Sequence, residues 1–115
     1  MARANAQTRG YTSQWQERSR EWLRRNPACR GCGGKADCVD HVVPIRLAGR
    51  SAFFDTTRWQ SLCRGCHTIK TSKLDAMYEA KEITLYDLWM DSETAQRLVR
   101  KKRKPAMSAD GWLLD

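Results

Sequence analysis

The first regular pattern of hydrophobic positions along the chain is helical. Trp15, Trp22 and Leu23 are spaced so that one face of a helix would carry all three side chains. An Asn-Pro pair follows, and the residue before a proline rarely continues a helix. The pattern therefore predicts a helix from 13 to 25, preceded by a loose polar segment over 1–12.

The pattern then changes to that of short strands. Residues 38–43 are rich in β-branched side chains and stop before a proline, which predicts a strand. Residues 57–62 predict a second strand, antiparallel to the first. Helical spacing returns over 64–79, and a further helix is predicted from Thr84 to residue 100.

The length of the chain, 115 residues, allows one domain with one small core. We assign the core to residues 13–80, a helical extension to 81–104 and a tail to 105–115. No apolar run is long enough to cross a membrane, and the first residues lack the apolar segment of a secretory signal. The predicted class is a small α+β domain of the cytoplasm, without a membrane partner.

Charge narrows the choice of partner. Lys and Arg number 21 against 13 Asp and Glu, a net charge of +8. Residues 1–74 carry a net charge of +9, residues 75–96 carry −5, and residues 97–104 carry six basic side chains and no acidic one. A basic balance in a small domain favours a polyanion such as nucleic acid. We interpret the acidic block as a solvated helical face, with a protein interface as the alternative.

Four of the five cysteines form two CxxC pairs, Cys29-Arg30-Gly31-Cys32 and Cys63-Arg64-Gly65-Cys66. In a chain with no predicted secretion signal, two such pairs favour a structural zinc site of four thiolates over a disulfide framework. Local disulfides, redox motifs and an iron–sulfur cluster remain alternatives. Cys38 stands alone and is predicted to be a half-buried strand residue, not a ligand.

Both histidines lie in the same stretch of chain as the CxxC pairs. His41 follows Asp40 in the first predicted strand, and His67 directly follows the second pair. If zinc joins the strands to the start of the helix, Asp40 and His67 could approach each other and hold a second, divalent ion. Strand alternation points His41 to the other face, beside that ion, where it would suit a general base.

Taken together, these motifs resemble those of the HNH endonucleases, in the CxxC-containing branch common in phages and prophages. The resemblance rests on Val39-Asp40-His41-Val42-Val43-Pro44, on the segment from Asp55 to Thr71 and on the two CxxC pairs. It covers residues 9–74 and, more faintly, Ala109-Asp110-Gly111-Trp112. It implies a ββα-metal fold with flanking helices and a structural zinc site of four cysteines. The implied activity is metal-dependent hydrolysis of DNA phosphodiester bonds that nicks one strand of a duplex.

The resemblance also implies roles for individual residues. His41 would be the general base, and Asp40 and His67 would hold a catalytic Mg²⁺, Mn²⁺ or Ni²⁺ ion. The CxxC pairs would hold structural zinc through Cys29, Cys32, Cys63 and Cys66. Lys70 matches the lysine of the motif and would contact phosphate. Basic side chains expected to contact nucleic acid are Arg46, Arg64, Lys70, Lys73, Arg100, Lys101, Lys102 and Arg103.

One position departs from the family pattern. The middle asparagine of these enzymes is expected two residues before Gln60, where this chain has Arg58. Arginine has no acceptor atom, so it cannot copy the amide that orients the base histidine. Its guanidinium could instead contact the scissile phosphate, which makes Arg58 a further catalytic candidate.

Two other functions remain open. A non-catalytic, zinc-stabilised DNA-binding module would keep the cysteines and the basic surface, and metal-dependent cleavage would separate it from a nuclease. A protein-interaction module would use the acidic block over 75–96. By resemblance alone, a phage terminase or another packaging protein is an expected partner, and a bacterium or phage-infected cell is the expected host.

Overall fold

The computed structural model describes the backbone of residues 6–103 and the side chains of residues 12–101. Within that part of the chain, a two-stranded antiparallel sheet lies between helices that contact both of its faces. The α+β class expected from the sequence is confirmed. The predicted tail over 105–115 lies outside the described residues. None of the described helices is long and apolar enough to cross a membrane.

The sheet consists of β1 (Cys38–His41) and β2 (Trp59–Leu62). Asp40 pairs with Gln60, and His41 pairs with Trp59. Both strands are shorter than predicted. The second begins late because Asp55 Oδ1 accepts a hydrogen bond from Thr57 N and starts a 3₁₀ turn over Thr56–Arg58. Between the strands the chain also forms the short helix α2 (Ile45–Ala48).

Helix α1 (Ala6–Arg25) packs on the face of the sheet that carries Trp59 and Ser61. The indole N–H of Trp22 donates to Ser61 Oγ at 3.1 Å, and the Trp15 and Trp22 rings contact Trp59 edge-on at 5.1 and 5.5 Å. The helix starts seven residues earlier than predicted, so residues 6–12 are not a loose segment. Ala, Gln and Arg in this stretch favour a helix, and a single glycine does not end one.

The opposite face contacts a helical segment that begins directly after Cys63. It runs through α3 (Arg64–Ile69), a π-helical turn (Lys70–Leu74) and α4 (Asp75–Glu79). The span agrees with the helix predicted over 64–79. The π turn within it was not predicted.

The prediction of one continuous helix from Thr84 to residue 100 is wrong in its middle. A capping box formed by Thr84 and Asp87 opens a 3₁₀ turn (Leu85–Leu88), and α5 (Glu93–Arg103) begins only after a break. The break has a tertiary cause, because Met90 N donates to the side-chain Oε1 of Gln60 at 2.9 Å. The backbone is therefore held by a strand residue 30 positions earlier in the chain and not by a helical carbonyl.

The core lies between the sheet, the α3–α4 segment and α5. Leu74, Leu88 and Met90 are fully buried in it, and burial of each such side chain contributes about 1.5–3 kcal/mol to folding. Trp89 and Leu98 are partly buried and pack at its edge. The buried side chains of this cluster are Cys29, Val42, Leu62, Cys66, Ile69, Leu74, Leu88, Met90, Ala95 and Val99.

Candidate metal centre and active site

The two CxxC pairs form tight turns that bring their sulfurs together. In the first turn, Gly33 N donates to Cys29 O at 2.8 Å and Gly31 N lies 3.3 Å from Cys29 Sγ. A methyl group on Gly31 would lie 2.7 Å from Cys66 Sγ, so only glycine fits there. In the second turn, Cys63 Sγ accepts from Cys66 N and caps α3.

The four sulfur atoms of the CxxC pairs, which we call the four-cysteine cluster, lie within 4.8 Å of one another. Cys32 Sγ and Cys63 Sγ are 3.7 Å apart. Neighbouring sulfurs in a tetrahedral site with Zn–S bonds of about 2.3 Å are about 3.8 Å apart, so this spacing is consistent with structural zinc. The structure has no disulfide bond among the five cysteines, all of which lie within its described residues. Cys38 lies in β1 outside the cluster, as predicted, and donates to Leu62 O at 3.4 Å.

The thiols of the cluster differ in acidity. Burial raises the pKa of Cys66 and of Cys63. Burial acts in the same direction on Cys29, but backbone hydrogen bonds within the two turns outweigh it and lower its pKa to about 7. The pKa of Cys29 is thus lowered while those of Cys63 and Cys66 are raised. A bound cation would favour ionisation of all of them, because metal ligation requires thiolates.

A second group of polar side chains lies on the α3 face of the sheet around Asp40. Asp40 is 5% exposed, and its Oδ1 is 3.5 Å from Nε2 of His67 on α3. His67 keeps 40% of its side chain exposed. The sequence analysis expected these two residues to approach each other, and the structure brings them together. Oδ1 and Nε2 therefore form a pair of candidate ligand atoms, one on a buried carboxylate and one on a partly exposed imidazole.

The other oxygen of Asp40 is occupied by the protein itself. Oδ2 lies 3.0 Å from Lys70 Nζ and accepts a hydrogen bond from Gln60 Nε2 at 3.0 Å. Lys70 also contacts Asp75 Oδ1 at 2.6 Å and donates to His41 O at 3.3 Å. Its side chain is fully buried. The structure thus differs from the expectation that Lys70 contacts phosphate, because its ammonium is enclosed by two carboxylates.

The π turn explains how Lys70 and Asp75 reach each other. Residues five apart lie on different sides of an α-helix, whereas a π turn pairs residue i with i+5. The turn over Lys70–Leu74 brings both side chains to the sheet. Burial raises the pKa of Asp75, and the neighbouring Lys70 partly offsets that rise.

His41 lies on the α1 face of the sheet. Its Nε2 is 2.8 Å from the carbonyl oxygen of Phe53, which also accepts from Trp59 Nε1 at 3.2 Å. A carbonyl oxygen can only accept, so His41 Nε2 carries a proton, and in the neutral ring Nδ1 has the lone pair. The ring stacks on Trp15 with a centroid separation of 4.8 Å. These contacts fix both the tautomer and the orientation of the imidazole.

Beside the His41 ring lies a pocket of about 180 Å³. Asp55 and Arg58 line it together with His41, and Arg58 is exposed to solvent. His41 and Arg58 therefore line the same small pocket.

Most of the predicted nucleic-acid contacts are on the surface. Arg64, Lys73, Arg100 and Lys101 are exposed, whereas Arg46 forms an ion pair with Glu79. The side chains of Lys102 and Arg103 lie outside the described residues. The structure leaves these positions as predictions, apart from the buried Lys70.

The sequence analysis did not identify two residues of the site, Gln60 and Asp75. Gln60 bridges Asp40 and the backbone of Met90, and its amide also donates to Leu88 O at 3.1 Å. A polar residue inside an otherwise apolar strand was the available signal, because buried amides need partners. Asp75 was missed because an interior π turn leaves no mark in the hydrophobic pattern.

Comparisons with known proteins do not decide between these functions. No protein-family model matches the chain, and neither the curated proteins nor the solved structures contain a match. The functional assignment therefore depends on the site itself.

Proposed function

We propose that this protein is a metal-dependent endonuclease of the HNH type, which hydrolyses phosphodiester bonds in DNA and nicks one strand of a duplex. The observation that carries the proposal is the approach of Asp40 to His67 at the end of β1, the strand that His41 terminates. Asp40 Oδ1 and His67 Nε2 form a donor pair 3.5 Å apart, and His41 has an imidazole of defined tautomer beside Arg58. The net charge of +8 supports a DNA substrate.

The donor pair fits a hard divalent ion such as Mg²⁺ or Mn²⁺, with Ni²⁺ as a further candidate. Such ions are bound through one or two protein ligands and complete their coordination with water and substrate phosphate. Asp40 can offer only Oδ1, because Lys70 and Gln60 hold Oδ2. An ion bound there would stabilise the negative charge that develops on phosphate oxygens. The four-cysteine cluster is proposed to hold zinc in a purely structural role.

The protein's own residues supply the remaining chemistry. Nδ1 of His41 accepts a proton from the attacking water, while the bond from Nε2 to Phe53 O holds the ring in place. Arg58 binds a non-bridging oxygen of the scissile phosphate. Lys70 donates to the backbone carbonyl of His41 and so ties the end of β1 to the helical segment that follows Cys63.

Nicking of supercoiled plasmid by zinc-loaded protein tests the proposal. The assay compares Mg²⁺, Mn²⁺ and Ni²⁺ with no added divalent ion, in the wild type and in His41→Ala. We expect open circles only with a divalent ion, and a loss of about 10²–10⁴-fold in His41→Ala. Lys81→Gln, an exposed change outside the site, should nick at the wild-type rate. Equal nicking by His41→Ala and wild type would refute the assigned base.

The Lys70 contact favours a second candidate, a zinc-stabilised DNA-binding module without catalysis. A fixed ammonium 3.0 Å from Asp40 repels a second cation at this carboxylate. Under this alternative, folded zinc-loaded protein would bind duplex DNA but nick none of it with any of the three ions. Arg58→Asn would then show whether the family's asparagine restores cleavage.

A further inference from the structure

A groove runs along α1 on the face of the sheet that carries His41. It has a volume of about 1150 Å³ and lies between the second half of α1 and the segment after the first CxxC turn. Its apolar surface includes Trp22, Leu23 and Pro27. Five basic side chains and two acidic ones line it, so the groove is cationic with an apolar floor. The charged residues are Glu17, Arg18, Arg20, Glu21, Arg24, Arg25 and Lys35.

The charged side chains of the groove differ in whether they already form an ion pair within the protein. Glu21 is held by Arg24 and Arg25, with N–O distances of 2.6 and 2.8 Å. Arg20 and Lys35 are exposed, and no carboxylate among the described residues forms an ion pair with either of them. These two side chains are therefore free to meet a ligand anion, and Glu21 cannot repel it strongly.

The groove leads towards His41. Thr56 lines the groove, whereas Asp55 and Arg58 line the pocket beside His41. The 3₁₀ turn over Thr56–Arg58 is therefore the divide between the two depressions. A chain of phosphates that left the pocket over this turn would enter the groove that Lys35 and Arg20 line.

We propose that this groove binds the sugar–phosphate backbone of DNA on one side of the scissile bond. The inference rests on the proposed nuclease function and extends it by naming the path of the substrate strand. Phosphates would pair with the rim cations, which act without sequence preference, and the sugars would lie over the apolar floor. Arg58 would then be the first cation of a continuous track from His41 to Lys35.

The test compares two equivalent lysine variants, Lys35→Gln in the groove and Lys81→Gln outside it. Binding of a fluorescent 20-base-pair duplex is measured by anisotropy at several salt concentrations, without added divalent ion. Loss of one phosphate contact lowers the salt slope by about 0.9 and weakens binding about three- to eightfold at 0.1 M salt. We expect this change for Lys35→Gln, about twice the slope change for Arg20→Gln/Lys35→Gln, and less than a twofold effect for Lys81→Gln.

Three results would overturn the inference: an equal loss in Lys35→Gln and Lys81→Gln, no loss in either, or no duplex binding by the wild type. Plasmid nicking by the same preparations separates this failure from failure of the proposed function. If the wild type nicks plasmid and Lys35→Gln binds the duplex as the wild type does, only the proposed role of the groove is refuted. If Lys35→Gln binds more weakly but the wild type nicks no plasmid, only the proposed catalysis is refuted.

Discussion

The four-cysteine cluster and the Asp40–His67 pair are the two proposed cation sites, and they are built in opposite ways. The cluster supplies four sulfurs within 4.8 Å of one another from two similar turns. The pair supplies two donors, and an internal ammonium from Lys70 lies 3.0 Å from the same carboxylate. Four thiolates this close repel one another, so the ionised cluster needs a metal, whereas Asp40 already has an ion-pair partner in Lys70, which it shares with Asp75.

The two designs suit different roles, a structural one for the cluster and a catalytic one for the pair. A site whose every ligand comes from the protein is closed and stabilises the fold. A site with two protein donors and an exposed imidazole leaves positions for water and substrate. In the open site, Asp40 also contacts the buried Lys70, which pairs with Asp75. The contrast implies that the two sites are independent, and variants at each site test this.

The largest effect is expected from loss of one cysteine of the cluster. Cys32→Ser should abolish tight zinc binding and cooperative unfolding, because structural zinc contributes about 10–16 kcal/mol in small domains. The matched control is Cys38→Ser, which keeps the hydrogen bond to Leu62 O and should retain zinc. Zinc content and thermal unfolding followed by circular dichroism measure both variants. A Cys32→Ser protein that unfolds cooperatively without zinc would contradict the structural role.

A smaller but still large effect is expected at the buried cation. Lys70→Met leaves the carboxylates of Asp40 and Asp75 buried without their partner, which should lower the free energy of unfolding by about 3–5 kcal/mol. Lys73→Met changes an exposed lysine of the same segment and should stay within about 0.5 kcal/mol of wild type. Urea unfolding of the zinc-loaded proteins provides the measurement. Equal stability of the two variants would show that Asp40 does not depend on Lys70.

The smallest effect distinguishes the two CxxC turns from each other. Gly31→Ala would place a methyl group 2.7 Å from Cys66 Sγ, and relief of this contact should cost about 1–3 kcal/mol. Gly65 has no atom within 4 Å of its would-be Cβ and lies in α3. Gly65→Ala should therefore be neutral or stabilise the helix by up to about 1 kcal/mol. Urea unfolding in the presence of zinc compares the two, and equal values would show that the turns tolerate a side chain alike.

Much of this arrangement could be predicted because local signals and global contacts agree. The CxxC spacing identified the four sulfurs, and the alternation of the strand placed Asp40 and His41 on different faces. Proximity of Asp40 to His67 followed from joining the strand and the helix through one metal. The family resemblance remains a prediction, since no comparison tests it.

The remaining features depend on contacts between distant parts of the chain. Lys70 looks like a solvated helix residue in the sequence, and its burial depends on a π turn and on Asp40, 30 residues earlier. The helix predicted across Trp89 fails because Gln60 captures the backbone of Met90. Neither tertiary hydrogen bonds nor π turns alter the periodicity of hydrophobic positions, which is the signal that sequence reasoning uses.

The central claim is that the Asp40–His67 pair is an open catalytic site independent of the zinc cluster. The most direct test measures zinc content and Mn²⁺-dependent plasmid nicking on the same preparations of wild type and His67→Ala. We predict one zinc per chain in both proteins, nicking that saturates with Mn²⁺ in the wild type, and a loss of about 10²-fold or more in His67→Ala. Wild-type rates in a zinc-loaded His67→Ala protein, or no nicking by the zinc-loaded wild type, would contradict the account.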